Sequence, residues 1–215
     1  MKRLGVIAVV VVLLAVGGLA WYATRGVAGS GQPRASSPTA LPTRAAAPAA
    51  TRTPSPSTAP CSRAKPFTPR TLTVRGVTDH RPVVSIPRDQ NGVPGVPPIS
   101  DVGKREFAFD PDQGIRPGDR FGNVLLNAHT WPDGTALGNQ LLAGAHRGTR
   151  IVVAGGGHRL CYHVTRRVEV DATKPQPAYF ATDGRPQLAI VVCSGVRLGP
   201  GEWTKRTIWY ASPGV

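Results

Sequence analysis

The first 70 residues of this 215-residue chain contain no aspartate or glutamate. They hold nine of the 26 lysines and arginines, and those that follow Arg3 stand singly, mostly among proline, alanine and threonine. Such spacing does not build the continuous basic face that nucleic acid requires, although it permits a weak, screened attraction to anionic lipid or wall polymer. Residues 71–215 carry all 12 acidic residues against 17 basic ones. We therefore expect no nucleic-acid partner, despite the formal net charge of +14.

Charge of either sign is also absent from residues 4–22, LGVIAVVVVLLAVGGLAWY. At 1.5 Å per residue this run spans about 28 Å as a helix, close to the thickness of a bilayer core. Two basic residues precede it and favour a cytoplasmic N-terminus, and two aromatic residues end it where interfacial aromatics are common. We predict a single-pass transmembrane anchor at residues 1–23, with the rest of the chain outside the cell. A signal peptide cleaved near residue 20 is the alternative.

Hydrophobic periodicity is missing from residues 24–70, which are rich in proline, alanine, serine and threonine. This composition cannot bury enough apolar surface to offset the conformational entropy that ordering would cost. We predict a disordered linker that, extended at about 3.1 Å per residue, holds a domain on the order of 100 Å from the membrane.

Cysteine is scarce, with Cys61, Cys161 and Cys193 in the whole chain. An odd number leaves at least one thiol free in an exported protein. Cys161 lies within a predicted strand and is interpreted as a core residue that could pair with Cys61. A Cys161–Cys193 disulfide is the alternative. Histidines lack zinc-ligand spacing to cysteine, and acidic residues lack calcium-ligand spacing, so we expect no metal and no cofactor.

From residue 71 the sequence changes to short β-branched runs separated by turn signals. A short helix is predicted at residues 137–145 and a helical turn at residues 177–181. About seven or eight strands in residues 71–215 predict a mainly β, closed barrel. The candidate strands are residues 71–74, 82–86, 123–129, 150–153, 160–170, 187–193 and 207–211.

Three chemically useful side chains stand at the predicted ends of strands. Cys193 follows residues 188–192, which are apolar at every position and so predict a central strand covered on both faces. A turn is predicted directly after Cys193, at residues 194–195. His129 ends another apolar run. Arg206 opens the last predicted strand. A thiolate is a nucleophile, an imidazole transfers protons, and a guanidinium stabilises an oxyanion. Together they suggest acyl transfer, although each alone is more often an ordinary core or surface residue.

Four segments together resemble the sortases, with the class F type of high-GC Gram-positive bacteria as the nearest pattern. The resemblance covers residues 71–215. The segments are QLAIVVC at 187–193 (the strand that ends in the nucleophile), FGNVLLNAHTW at 121–131 (the histidine), GEWTKRTIWYA at 201–211 (the arginine) and PVVSIP at 82–87.

This resemblance implies a sortase-type barrel and a cysteine transpeptidase. Cys193 would attack the Thr–Gly bond of an LPXTG-type sorting signal and form a thioester. An amine, such as one from a peptidoglycan precursor, would then resolve it. His129 would be the general acid and base, and Arg206 would stabilise the oxyanion and position the substrate. The residues expected along the substrate groove are Thr130, Trp131, Val192 and Ser194.

Two positions depart from the sortase pattern. Ala189 and Val192 stand where sortases usually carry threonine, in a TLxTC sequence before the nucleophile. These changes motivate a second hypothesis, an exported non-catalytic binding module on the same barrel. An L,D-transpeptidase is a third hypothesis, but its cysteine normally follows an S/T-x-G sequence, which the residues before Cys193 do not match.

Overall fold

The computed structural model of the protein describes Cys61 and residues 65–214. These residues form eight strands, one α-helix and two single-turn 3-10 helices at Gly103–Arg105 and Pro111–Gln113. The α-helix, α1, is Leu137–Gly144. The strands are β1 (Thr71–Val74), β2 (Thr78–Ser85), β3 (Phe107–Phe109), β4 (Asn123–Ala128), β5 (Arg150–Gly155), β6 (His158–Asp171), β7 (Gln187–Gly199) and β8 (Glu202–Gly214).

The eight strands close into one barrel in the order β1-β2-β3-β4-β7-β8-β6-β5. Neighbours are antiparallel except for β2 with β3 and β4 with β7, which are parallel. The mainly β, closed barrel predicted from the sequence is confirmed. The parallel β4–β7 pair matters for function, because the carboxyl ends of both strands lie at the same edge of the sheet.

Strand β7 is covered on both faces, as its continuous apolar sequence predicts. Leu188, Ile190 and Val192 pack into the larger hydrophobic core, to which all eight strands contribute. Ala189 on the opposite face joins a second cluster that includes Tyr179. Burial on both sides fixes the register of β7, since a slip by one residue would exchange the two faces.

Strands β7 and β8 are longer than the sequence suggested. The turn predicted at residues 194–195 lies inside β7, where the register shifts between Ser194 and Arg197. Gly195 has a φ of 77°, and a Cβ there would lie 2.5 Å from Thr204 Oγ1, so glycine relieves a close approach within the ladder. Cys193 and Arg206 consequently lie within paired strands and not at strand ends.

Two smaller elements also differ from expectation. Strand β3 was not predicted, because three residues are too few to show a period. Where a helical turn was predicted at residues 177–181, residues 177–180 form hydrogen-bonded turns, with the amide of Phe180 donating to the carbonyl of Pro177 at 3.1 Å.

The predicted anchor at residues 1–23 and most of the predicted linker lie outside the described residues. The last residues of that linker pack on the barrel: Phe67 is 5% exposed and belongs to the larger core. The amide of Phe67 also donates to the carbonyl of Pro117 at 3.1 Å, so contact with the barrel begins before residue 71. In the described part of the chain, no helix is long and apolar enough to cross a bilayer.

Cys61 and Cys161 form a disulfide with a Cα–Cα distance of 5.5 Å. This pairing was one of the two possibilities that the sequence left open, and it excludes the Cys161–Cys193 alternative. Cys193 is the free cysteine.

Candidate active site

The strand register brings Cys193, His129 and Arg206 together. Ala128 of β4 pairs with Val192 of β7, so His129, the residue after β4, is next to Cys193 within the parallel neighbour β7. Cys193 also lies directly opposite Arg206 in the antiparallel β7–β8 pair. All three residues line one groove of about 920 Å³. The three side chains singled out from the sequence therefore share one site.

His129 is fixed through its main chain and its ring. Its carbonyl accepts a hydrogen bond from the amide of Gly138 at 2.7 Å, at the start of α1. A Cβ at Gly138 would lie 2.5 Å from that carbonyl oxygen, so only glycine permits the approach. Nε2 of His129 lies 2.6 Å from the carbonyl oxygen of Pro97. Because a carbonyl only accepts, Nε2 carries the hydrogen, and Nδ1 is the basic nitrogen of the neutral ring.

Thr130 connects the histidine segment to the cysteine. Its hydroxyl donates to the carbonyl of Cys193 at 2.6 Å, and the side chain is buried. The bond joins the end of β4 to β7 at the point where the free thiol stands. Thr130 also lines the groove.

Trp131 is held in place by Asn139, which the sequence pattern does not single out. The side chain of Asn139 accepts from the amide of Trp131 at 2.9 Å and donates to its carbonyl at 3.0 Å. Lys104 Nζ lies 4.8 Å from the centre of the Trp131 ring, within cation–π range. Helix α1 thus supports the whole His129–Trp131 segment through Gly138 and Asn139. Trp131 forms part of the groove wall.

Cys193 is partly buried, and burial raises the pKa of its thiol above the ordinary value, because removal from water disfavours the thiolate. The positive charge of Arg206 acts in the opposite direction and is the weaker influence. The thiol is therefore mainly protonated at neutral pH, and chemistry at the sulfur requires a proton acceptor nearby.

Arg206 is oriented by main-chain carbonyls. Its Nη1 donates to the carbonyl of Lys205 at 3.0 Å and to that of Trp203 at 3.3 Å. None of the ion pairs formed by the described residues involves Arg206. Its charge is thus held in place without being neutralised by a carboxylate, which suits it to stabilise a transient anion.

Two of the predicted groove residues point elsewhere. Val192 borders the groove, but its side chain packs into the larger core. Ser194 is buried and does not line the groove; its hydroxyl accepts a hydrogen bond from Thr207 at 2.9 Å. The alternation of side chains along β7 explains both, because residues 192 and 194 face the side opposite to Cys193.

Three loops complete the groove and were not predicted. The β2–β3 loop contributes Val93, Val96 and Ile99, which are exposed apolar residues in a proline-rich sequence. Asn127 of β4 holds this loop by donating to the carbonyl of Gly95 at 2.8 Å. The only signal in the sequence for this part of the groove was the presence of valine and isoleucine in a loop that is otherwise rich in turn-forming residues. The β6–β7 loop and the β7–β8 hairpin contribute further lining residues, among them Lys174, Pro175, Gln176, Phe180, Arg197, Pro200 and Trp203.

Comparison with solved structures shows the fold. The chain is similar to sortase A of Corynebacterium diphtheriae, a lid mutant, with a TM-score of 0.52 and 14% identity over 71% of this chain and 73% of that one. It is also similar to sortase C1 of Streptococcus suis, with a TM-score of 0.51 and 14% identity over 68% and 73% of the chains. Sortase C1 of Streptococcus agalactiae, in complex with MTSET, gives a TM-score of 0.50 and 12% identity over 67% and 66% of the chains.

The described residues therefore have the sortase fold. The chain spans about two thirds of the length of the Streptococcus agalactiae neighbour. Comparison of the sequence with protein-family models and with curated proteins gives no match. At 12–14% identity the structural likeness establishes the architecture alone.

Proposed function

We propose that the protein is a sortase-like cysteine transpeptidase that cleaves an LPXTG-type sorting signal between threonine and glycine and transfers the acyl group to a cell-wall amine. The observation that carries this proposal is the placement of the free thiol of Cys193 opposite Arg206 and beside the end of the strand that leads to His129. These three groups are a nucleophile, an oxyanion stabiliser and a proton carrier, which is the set that acyl transfer needs.

The resting protonation state suggests how the reaction begins. The thiol of Cys193 is mainly protonated, so Nδ1 of His129 would take its proton as the sulfur attacks the threonine carbonyl carbon. Arg206 would stabilise the resulting oxyanion. When the carbon–nitrogen bond breaks, His129 would return the proton to the departing glycine amine and leave a thioester on Cys193. An acceptor amine would then attack the thioester carbon, lose its proton through His129 and release the Cys193 thiol.

The groove has the dimensions and lining of a peptide site. A volume of about 920 Å³ with mostly apolar walls accommodates several residues of an extended chain. Class F-like specificity, a peptidoglycan-precursor acceptor and anchoring at the outer face of the cell membrane through residues 1–23 are parts of the same proposal. The Cys61–Cys161 disulfide supports the extracellular location, because such bonds persist in oxidising compartments.

The test is to incubate the full-length protein in detergent with LPXTG-type peptides, with and without triglycine as acceptor amine. We expect mass spectrometry to find cleavage between threonine and glycine, and a ligated product when triglycine is present. Cleavage at another bond would contradict the proposal. Binding of the peptide without any cleavage would instead support a non-catalytic binding module on the sortase fold.

Thr130 provides a prediction about positioning. Replacing Thr130 by Val is expected to lower kcat about tenfold and to change KM little, because it removes the hydroxyl that fixes the carbonyl of Cys193 and keeps the shape of the side chain. Steady-state kinetics on the cleaved peptide measures both constants.

The control for this prediction is Thr130→Ser, which retains the hydroxyl and should restore most of kcat. Equal losses of kcat in the Val and Ser variants would show that the methyl group matters and the hydrogen bond does not. Thermal unfolding of both variants separates loss of positioning from loss of stability.

A further inference from the structure

The charged side chains that line the groove are all cationic. Lys174, Arg197 and Arg206 line it together with His129, and no aspartate or glutamate is among the described lining residues. A low-dielectric groove with charges of one sign concentrates the field inside it. The groove is therefore complementary to a negatively charged group.

The cationic residues lie towards one end of the groove. Arg197 belongs to the β7–β8 hairpin beyond Cys193 and pairs with Trp203. Lys174 lies in the β6–β7 loop, which is joined to the same end of β8 by a hydrogen bond from the amide of Ala172 to the carbonyl of Thr204 at 3.0 Å. The β2–β3 loop, in contrast, contributes apolar side chains to the lining.

The acidic residues near this end, Asp171 and Glu202, do not line the groove. Asp171 accepts hydrogen bonds from the amide of Thr173 at 2.9 Å and from its hydroxyl at 2.8 Å. Lys174 and Arg197 are both exposed. Among the ion pairs of the described residues, neither of them takes part. Their charges are available to a ligand.

We propose that Lys174 and Arg197 select sorting peptides that carry an acidic side chain close to the scissile Thr–Gly bond. This inference rests on the proposed function and adds a substrate class to it. Arg206 stands opposite Cys193, so a peptide bound across the thiol continues towards Arg197 and Lys174 in one of its two directions. Two exposed charge pairs of this kind together change affinity or association by about three- to tenfold at low salt.

The first measurement compares kcat/KM for LPETG, LPQTG and LPKTG peptides with the full-length protein at low salt. We expect the glutamate peptide to exceed the glutamine peptide by three- to tenfold and the lysine peptide by more, with the ratios shrinking at high salt. The Lys174→Gln, Arg197→Gln double variant should bring the three peptides to within about twofold. The matched control is Arg147→Gln, at an exposed arginine that does not line the groove, and it should keep the wild-type ratios.

The second measurement does not require turnover. Cys193 is alkylated with iodoacetate, which is anionic, and with iodoacetamide, which is neutral; in both cases the thiolate sulfur bonds to the CH₂ carbon and iodide leaves. The ratio of the iodoacetate rate to the iodoacetamide rate should fall three- to tenfold in the double variant and stay unchanged in Arg147→Gln. An unchanged ratio in the double variant overturns the inference.

The two measurements separate the possible failures. If all three peptides are cleaved equally well, the proposed function stands and the charge selection is wrong. If no peptide is cleaved, the proposed function fails, and with it the inference that the ligand is an acidic sorting peptide. The alkylation ratio then still decides whether Lys174 and Arg197 make the groove prefer a carboxylate.

Discussion

Replacing Cys193 by Ala should lower peptide cleavage by at least about 10³-fold, which is the scale of loss expected when a covalent nucleophile is removed. Cys193 is the free cysteine, because Cys61 and Cys161 are joined to each other. No second thiol in the chain can take its place. Rates of cleavage of the LPXTG-type peptide, measured on equal amounts of folded protein, provide the comparison.

Two observations accompany this prediction. Wild-type protein quenched in acid during turnover should show a mass increase equal to the acyl part of the peptide, located on the proteolytic fragment that contains Cys193, and the Ala variant should lack it. The side chain is only partly buried, so the variant should retain its free energy of unfolding to within about 1 kcal/mol. Residual cleavage near the wild-type rate would mean that Cys193 is not the nucleophile.

The sequence predicted the barrel because β-strands with buried faces leave a strong signal. Strand β7 is the clearest case: its unbroken apolar run indicated burial on both sides, and the structure has one core on each face. Strand β3 left no comparable signal, since three residues can match a helix or a strand equally well. The hairpin beyond Cys193 was also missed, because its pairing depends on main-chain hydrogen bonds and a register shift at Gly195 more than on an apolar pattern.

The candidate site could be predicted only in part, because contacts made through the main chain leave no pattern in the sequence. Cys193, His129 and Arg206 stood out because the sequence around each resembled a known pattern. The residues that hold them in place did not, because Gly138 and Asn139 act through main-chain contacts that depend on how α1 packs against β4. Lys174 and Arg197 are ordinary cations in the sequence and become notable only because the β6–β7 loop and the β7–β8 hairpin meet at one groove. Ser194 was predicted to line the groove because a turn was expected at residues 194–195. Strand β7 instead continues through Ser194, and the alternation of side chains along the strand points Ser194 away from the groove.

Loss of the Cys61–Cys161 disulfide should have the largest effect on stability. The bond closes a loop with a sequence separation of 100 residues, and for a loop of this length the chain-entropy model gives about 4.7 kcal/mol. It ties the segment before Phe67 to strand β6, where Cys161 is buried. Urea unfolding of the Cys61→Ser variant should therefore show a free energy of unfolding lower by about 4–5 kcal/mol, in a protein whose total stability is expected to be about 5–15 kcal/mol.

Reductant supplies the matched control. Adding a phosphine reductant to wild-type protein should reproduce the loss, and adding it to Cys61→Ser should change nothing further. Cys193→Ser should respond to reductant as the wild type does, since Cys193 takes no part in the disulfide. Neither cysteine of the disulfide lines the groove, so at temperatures where reduced and oxidised protein are both folded the peptide-cleavage rate should agree to within about twofold. An unfolding midpoint that is the same with and without reductant would show that the native state does not depend on this bond.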